Sequence, residues 1–298
     1  MNAIVIGSGL GGMSTAIRLA AHGFSVEVFE ANATYGGKLY QFENEGFRFD
    51  GGPSLFTMPH LVDELFSLAP DHHTSAFQYR KLEESCRYFW EDGQRMTGFS
   101  DPIHFAQEVE RVFHLPQLVV LDYFRHIKNI YDSSGKIFLE KSLHKAPTWL
   151  SRSALNSFLK LGQFDLFATM NSANEKRLDE PHLVQLFNRF ATYNGSNPFR
   201  APGILNVIPW LEHGLGTYYP KGGMRNIAKS IHNLAVSLGV KFHFNSRVER
   251  ILTENGKAVG VACGGKEFLS VVTITNSDVH FTYRDLLPNQ KAPKRLLN

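Results

Sequence analysis

Gly7, Gly9 and Gly12 are spaced as GxGxxG, and Glu30 follows eighteen residues after the last of them. Such a set can hold a dinucleotide. Gly7 allows a tight turn, Gly9 lets the backbone approach a pyrophosphate, and Gly12 lets a helix lie close on a strand, so that phosphates rest on the helix N-terminus. Gly11 adds room. A carboxylate at position 30 accepts the ribose hydroxyls of an adenosine and repels a 2′-phosphate. A glycine-rich turn with a solvated Glu at a strand end has the same spacing, and the fingerprint by itself does not choose between NAD and FAD.

The flanking elements give these residues their context. Ala3 to Ile6 is a short apolar run before the glycines, and Leu10, Met13, Ile17 and Ala20 recur at helical spacing until Gly23. Phe24 to Phe29 alternates, so the first thirty residues read as strand, helix, strand. A hairpin turning at Asn44, Glu45 and Gly46 follows, then a helix from Pro59, placed at its first position, to Leu68. Between about residues 85 and 217 the texture changes to a strand pair turning at Asp92 and Gly93, then helices starting at Asp101-Pro102, at Ser151 and at Asp179-Glu180-Pro181. From Lys221 the α/β texture returns: a helix from Met224 to Leu238, a strand from Val240 to Phe244, a hairpin at Asn255-Gly256 and an apolar strand from Val271 to Thr275. One domain is interrupted by another.

Composition narrows the class. With 43% hydrophobic and 20% charged residues the chain is an ordinary globular candidate, and 24 Phe with 10 Tyr supply both core and possible pocket lining. A net charge of +3 is too weak to argue for nucleic acid. Cys86 and Cys263 form no metal-ligand cluster and fit a reducing cytoplasm. Gly7, Ser8 and Gly9 interrupt the apolar start, so no signal peptide is expected, and no apolar run reaches bilayer length. Any membrane contact is expected to be peripheral. From Leu118 to Lys160 seven Lys or Arg face three acids, with Trp149 and Leu150 among them, a pattern suited to an anionic interface and equally to a solvated basic face.

Tyr35, Gly36, Gly37 and Lys38 resemble the second glycine doublet of the flavoprotein superfamily that includes amine oxidases and carotenoid desaturases, in which a second loop closes on the same pyrophosphate. NAD dehydrogenases lack it, so FAD is the expected cofactor. Three further stretches, Phe49 to Phe66 (FDGGPSLFTMPHLVDELF), Phe187 to Pro198 (FNRFATYNGSNP) and Tyr218 to Met224 (YYPKGGM), together with Gly7 to Gly12, resemble the phytoene-type carotenoid desaturases, nearest the hydroxycarotenoid 3,4-desaturase branch. The resemblance runs from the first residues to about Leu287.

The resemblance implies a Rossmann-like FAD-binding domain interrupted by a mainly helical α+β substrate domain. The division would be 1–84 and 218–290 for the FAD domain, 85–217 for the substrate domain, and 291–298 for a tail. It implies cofactor contacts at Gly7, Ser8, Gly9, Gly11, Gly12, Glu30, Ala31, Gly36, Gly37 and Lys38. Gly52 and Pro53 follow, in a segment passing under the flavin, and the backbone of Val248 is placed at the adenine. It also implies desaturation of a C40 carotenoid, drawn from a membrane on whose cytoplasmic face the protein docks.

No catalytic residue and no metal is assigned. His60, His126, His182 and His213 are read as structural or exposed residues of the middle layer, and His72-His73 as a loop rather than a metal site. Lys38 stands where many members carry Arg, and gives a point charge rather than a fork. Nothing after Gly265 resembles the family's later flavin-facing segment, so an N-terminal fragment or a truncated gene product is expected. A flavin-dependent carotene isomerase, an amine-oxidase relative and a flavin-free lipid binder resembling Rab GDP-dissociation inhibitors stand as alternatives.

Overall fold

A computed structural model describes residues 1–69, 77–135 and 164–288. The His72-His73 pair, the helix expected at Ser151, most of the basic stretch with Trp149 and Leu150, and the tail from 289 lie outside the described residues.

The chain forms two compact units, one of Met1–Arg80 with Tyr219–Asn298 and one of Lys81–Tyr218. In the first, strand β1 (Asn2–Ile6) leads through Gly7 into helix α1 (Leu10–Ala21), and β2 (Ser25–Phe29) returns beside β1 in parallel. Gly23, at φ 82°, ends α1 in the left-handed region that a side chain disfavours. Strands β3 (Gln41–Asn44) and β4 (Phe47–Asp50) form a hairpin. Its two turn residues, Glu45 and Gly46, both have positive φ, as a tight turn between right-twisted strands requires. Helix α2 (His60–Ser67) begins after Pro59, which is its cap rather than its first residue. His60 therefore belongs to this unit and not to the middle layer where the sequence suggested it.

The second unit carries hairpin β5 (Glu84–Phe89) and β6 (Arg95–Phe99), then α3 (Pro102–Phe113), α4 (Gln117–Ile130), α5 (Met170–Leu178) and α6 (Pro181–Asn188). Asp101 caps α3 by accepting from the amides of Ile103 and His104 at 3.0 and 3.1 Å, with Pro102 in the first turn where no amide is needed. The apolar stripes of these helices meet in one core around Phe105, Tyr123, Phe124, Ile127, Phe187 and Phe190. Two of the basic residues between 118 and 160, Arg125 and Lys128, pair with Asp122 and Asp132 on their own helical stretch.

Back in the first unit, α7 (Arg225–Ser237) packs on α1. Strand β7 (Lys241–His243) then joins β2. An antiparallel meander, β8 (Val248–Glu254), β9 (Lys257–Cys263) and β10 (Lys266–Leu269), precedes β11 (Val272–Thr275), which pairs in parallel with the other side of β1. The sheet order is thus β11-β1-β2-β7, all parallel, the Rossmann-like arrangement expected. Ile4, Ile6, Phe29, Val248, Ile251 and Val261 form the core between sheet and meander.

Candidate functional site

The carboxyl end of the parallel sheet opens into a cleft of about 820 Å³, lined among others by Gly7, Gly9, Glu30, Ala31, Gly36, Gly37, Lys38, Pro53 and Val248. It lies entirely within the first unit. Ligands bind here in open parallel sheets because strands end and helices begin at the same edge.

Each wall follows from local structure. The first hydrogen bond of α1 runs from Met13 N–H to Gly9 C=O at 3.0 Å, and no side chain caps the helix, so its first-turn amides are left for an anion. A Cβ on Gly12 would stand 2.1 Å from the carbonyl oxygen of Gly7, so the glycine at 12 is needed by the turn itself. Gly11 accommodates a partner that spacing did not reveal, because a Cβ there would meet Asn276 Oδ1 at 2.6 Å. The second glycine loop is zipped onto the first: Gly36 N–H donates to Ser8 C=O at 2.9 Å, and Gly9 and Gly36 form a parallel bridge. A Cβ on Gly37 would press on Gly9 Cα at 3.2 Å. Among the described residues no hydrogen bond engages the amides of Gly37 or Lys38. Open amides on two joined loops, with no room for side chains between them, fit a pyrophosphate.

Glu30 is buried at the end of β2, where its Oε2 accepts from the Ser8 amide and hydroxyl, both at 2.8 Å. Its Oε1 accepts from the Asn32 amide at 2.9 Å and side chain at 2.7 Å. Burial alone would push this carboxyl up, but the Ser8 and Asn32 donors outweigh it and hold it below the usual carboxylate range. Each carboxylate oxygen is thus held by one backbone amide and one side chain, which keeps the group ionised.

Not every expected residue faces the cleft. Ser8 is completely buried and serves Glu30. Gly52 backs onto the loop, since a Cβ there would stand 2.1 Å from the Lys38 carbonyl oxygen, and Gly51 makes room for the Tyr40 ring. Gly52 thus serves a close approach of backbone to backbone, and Gly51 one of backbone to ring. Conversely Asn276, Ser277 and Arg247 line the cleft. The only sequence sign of the first two was their place after an apolar strand, and Arg247 had none beyond its neighbour Val248.

Of the histidines set aside, His126 pairs with Asp165 at 2.8 Å, and His182 with Glu180 and Asp92 at 2.7 and 2.9 Å. His213 is fully buried and held by the Phe99 carbonyl at 2.8 Å. These are structural pairings. Among the described residues no group of His, Cys, Asp and Glu could hold a metal ion.

Comparison with known proteins places this cleft in a lineage. A sequence model of the family described as flavin-containing amine oxidoreductase matches residues 10–282. The chain is 45% identical over 295 residues to a 1-hydroxycarotenoid 3,4-desaturase of Flavobacterium sp., covering 99% of this chain and 60% of that protein. It is 33% identical to a 4,4'-diapolycopene oxygenase of Methylomonas sp., covering 93% and 55%. The chain thus spans little more than half the length of these relatives. Among solved structures, an oxidoreductase from Methanosarcina mazei superposes with TM-score 0.64 at 18% identity, over 98% of this chain and 62% of that one, which speaks for the fold.

Proposed function

The chain belongs to the flavin-containing amine oxidoreductase family, and from that footing we propose that it is the flavin-holding portion of a carotenoid desaturase. The observation that carries this reading is the 45% identity to a 1-hydroxycarotenoid 3,4-desaturase along nearly the whole chain. FAD is the dinucleotide the cradle takes. In this assignment the first turn of α1 and the amides of Gly37 and Lys38 bind the pyrophosphate, Glu30 orients the ribose, and the backbone of Val248 meets the adenine. The Lys38 ammonium adds a positive charge beside the phosphates. Bound FAD supplies a two-electron acceptor.

A saturated C–C unit flanked by double bonds loses two hydrogen atoms, equivalent to a hydride that a bound two-electron acceptor would take and a proton released to solvent, and the polyene gains one C=C. The adjacent polyene already activates an allylic C–H, so positioning and exclusion of water carry the rate more than any named acid or base. No described helix is long and apolar enough to cross a membrane, and a C40 polyene resides in the bilayer. We therefore place the protein at a membrane surface, on the cytoplasmic side, where the free thiols of Cys86 and Cys263 persist.

The test is product analysis of a hydroxylated carotene incubated with the protein and FAD in liposomes. A product two mass units lighter, absorbing at longer wavelength, is expected. A gain of oxygen would favour the chemistry named for the Methylomonas relative, and an unchanged mass would favour isomerisation. A purified protein that stays colourless when FAD is added would return the flavin-free lipid-binding reading. Flotation with liposomes tests the membrane assignment, which fails if all protein stays at the bottom of the gradient.

A further inference from the structure

Arg225, the first residue of α7, is absent from the lining of the nucleotide cleft yet makes three hydrogen bonds to the loop that forms its second wall. Its Nη1 donates to the carbonyls of Tyr35 at 2.6 Å and Leu39 at 2.8 Å, and its Nη2 donates to Thr34 Oγ1 at 2.9 Å. One nitrogen thus ties the two ends of the loop that carries Gly36, Gly37 and Lys38. The guanidinium also lies over the Tyr35 ring at 4.5 Å, and that ring stacks on His232 at 4.0 Å. A Cβ on Gly36 would stand 2.2 Å from Nη1, whereas one on Gly37 would meet Gly9, so the loop is held between the guanidinium and the first glycine turn.

The position of Arg225 is itself fixed. The Asp50 carboxylate at the end of β4 accepts from the amides of Met224 at 3.1 Å and Arg225 at 3.4 Å, capping α7 from another segment of the chain. Two residues on, Gly52 rests against the carbonyl of Lys38. The segments FDGG and KGGM therefore meet behind the loop and brace it.

We propose that Arg225 is a positioning residue for FAD: without touching the cofactor it holds residues 35–39 in the shape whose open amides receive the pyrophosphate. This rests on the assignment of the cleft to FAD. A lysine cannot substitute fully, because a single ammonium lacks the planar fork that spans both carbonyls while stacking on Tyr35.

The test uses the whole chain and Arg225→Ala, Arg225→Lys and Lys229→Ala variants. The last removes a cation one turn along the same helix that has no ion pair among the described residues. FAD and AMP are titrated separately, and amide exchange at Gly36 and Leu39 is followed without nucleotide. Arg225→Ala should weaken FAD by at least about tenfold, the scale at which supporting residues act behind a ligand site. AMP affinity should stay within about twofold, since its phosphate uses the first turn of α1. Exchange at Gly36 and Leu39, the loop amides that are hydrogen-bonded, should quicken, Arg225→Lys should fall between, and Lys229→Ala should match the parent. Unchanged FAD affinity, or FAD and AMP falling together, would overturn the proposal. If the parent binds no FAD, the flavin assignment fails; faster loop exchange in Arg225→Ala would still uphold the clamp, and unchanged exchange would sink it. Should Arg225→Ala not fold, Arg225→Lys decides by the same split.

Discussion

Glu30 is buried and carries four donors, two on each oxygen. Replacing it with Gln sets an N–H₂ against the Ser8 or Asn32 amide, so Glu30→Gln should cost about 1–3 kcal/mol of stability and weaken FAD by roughly tenfold or more. Urea melts and flavin fluorescence titration measure the two effects. Because its carboxyl is held low, its contribution is present above the ordinary carboxylate range and disappears as pH falls through the depressed value. His213 titrates in a different window. Burial holds it neutral, against the Glu212 carboxylate 3.8 Å from Nε2 and the Phe99 carbonyl on Nδ1, which favour the charged form. Its pKa is lowered in the fold, so stability falls as pH drops below about 6.5, with a slope of up to about 1.4 kcal/mol per pH unit. His213→Leu should flatten urea-melt stability between about pH 6.5 and 5, and an unchanged slope would show the acid sensitivity to lie elsewhere. Glu30 was legible because it stands at a countable distance from the glycines. Arg225 and Asn276 were not, since they act on residues nearly two hundred or more positions away and no local spacing marks such a contact.

Two glycines at the two ends of α1 separate two reasons for the same residue. Gly12→Ala drives a methyl into the Gly7 carbonyl, a backbone atom that cannot yield without opening the turn, and should abolish FAD retention. Gly23→Ala meets nothing within 4 Å but must adopt φ 82°, so it should keep FAD and lose about 1 kcal/mol. Gel filtration with bound-flavin absorbance and a urea melt distinguish them. At α3, Asp101→Ala removes the acceptor for two amides and should cost about 1 kcal/mol with no change in flavin binding. Elements with chemical punctuation were readable from the sequence: the cap at Asp101, the Glu180-Pro181 start of α6, the Glu45-Gly46 turn, the glycine after β1. The neighbour of Gly52 was not readable, because a glycine announces a close approach without naming what approaches. That neighbour proved to be the chain itself.

At the scale of the molecule, the second unit draws its core from a continuous stretch, whereas the first is assembled from two stretches separated by it. The units divide the chain after Arg80 and after Tyr218, and the texture of the sequence changes near residues 85 and 217. FAD at a hundred times its Kd should add about 2.7 kcal/mol to the stability of whatever cooperative unit contains the cleft. Thermal melts with increasing FAD should reveal it, and a melting curve indifferent to FAD would mean the cradle does not close on the nucleotide. The strand order has a further consequence for synthesis. Strand β1 finds β2 within thirty residues, but its other neighbour is β11, with Ala3 opposite Val272. At 5–20 residues per second a ribosome takes on the order of 15–55 s to cover that interval. Throughout it the strand ahead of the glycine turn has one edge bare, while residues 81–218 can already gather their own core on the nascent chain. Capture of the nucleotide is therefore deferred by translation order until β11 has emerged, and a pause upstream of Val272 lengthens the time a hydrophobic strand edge stands open to chaperones or to another copy of itself.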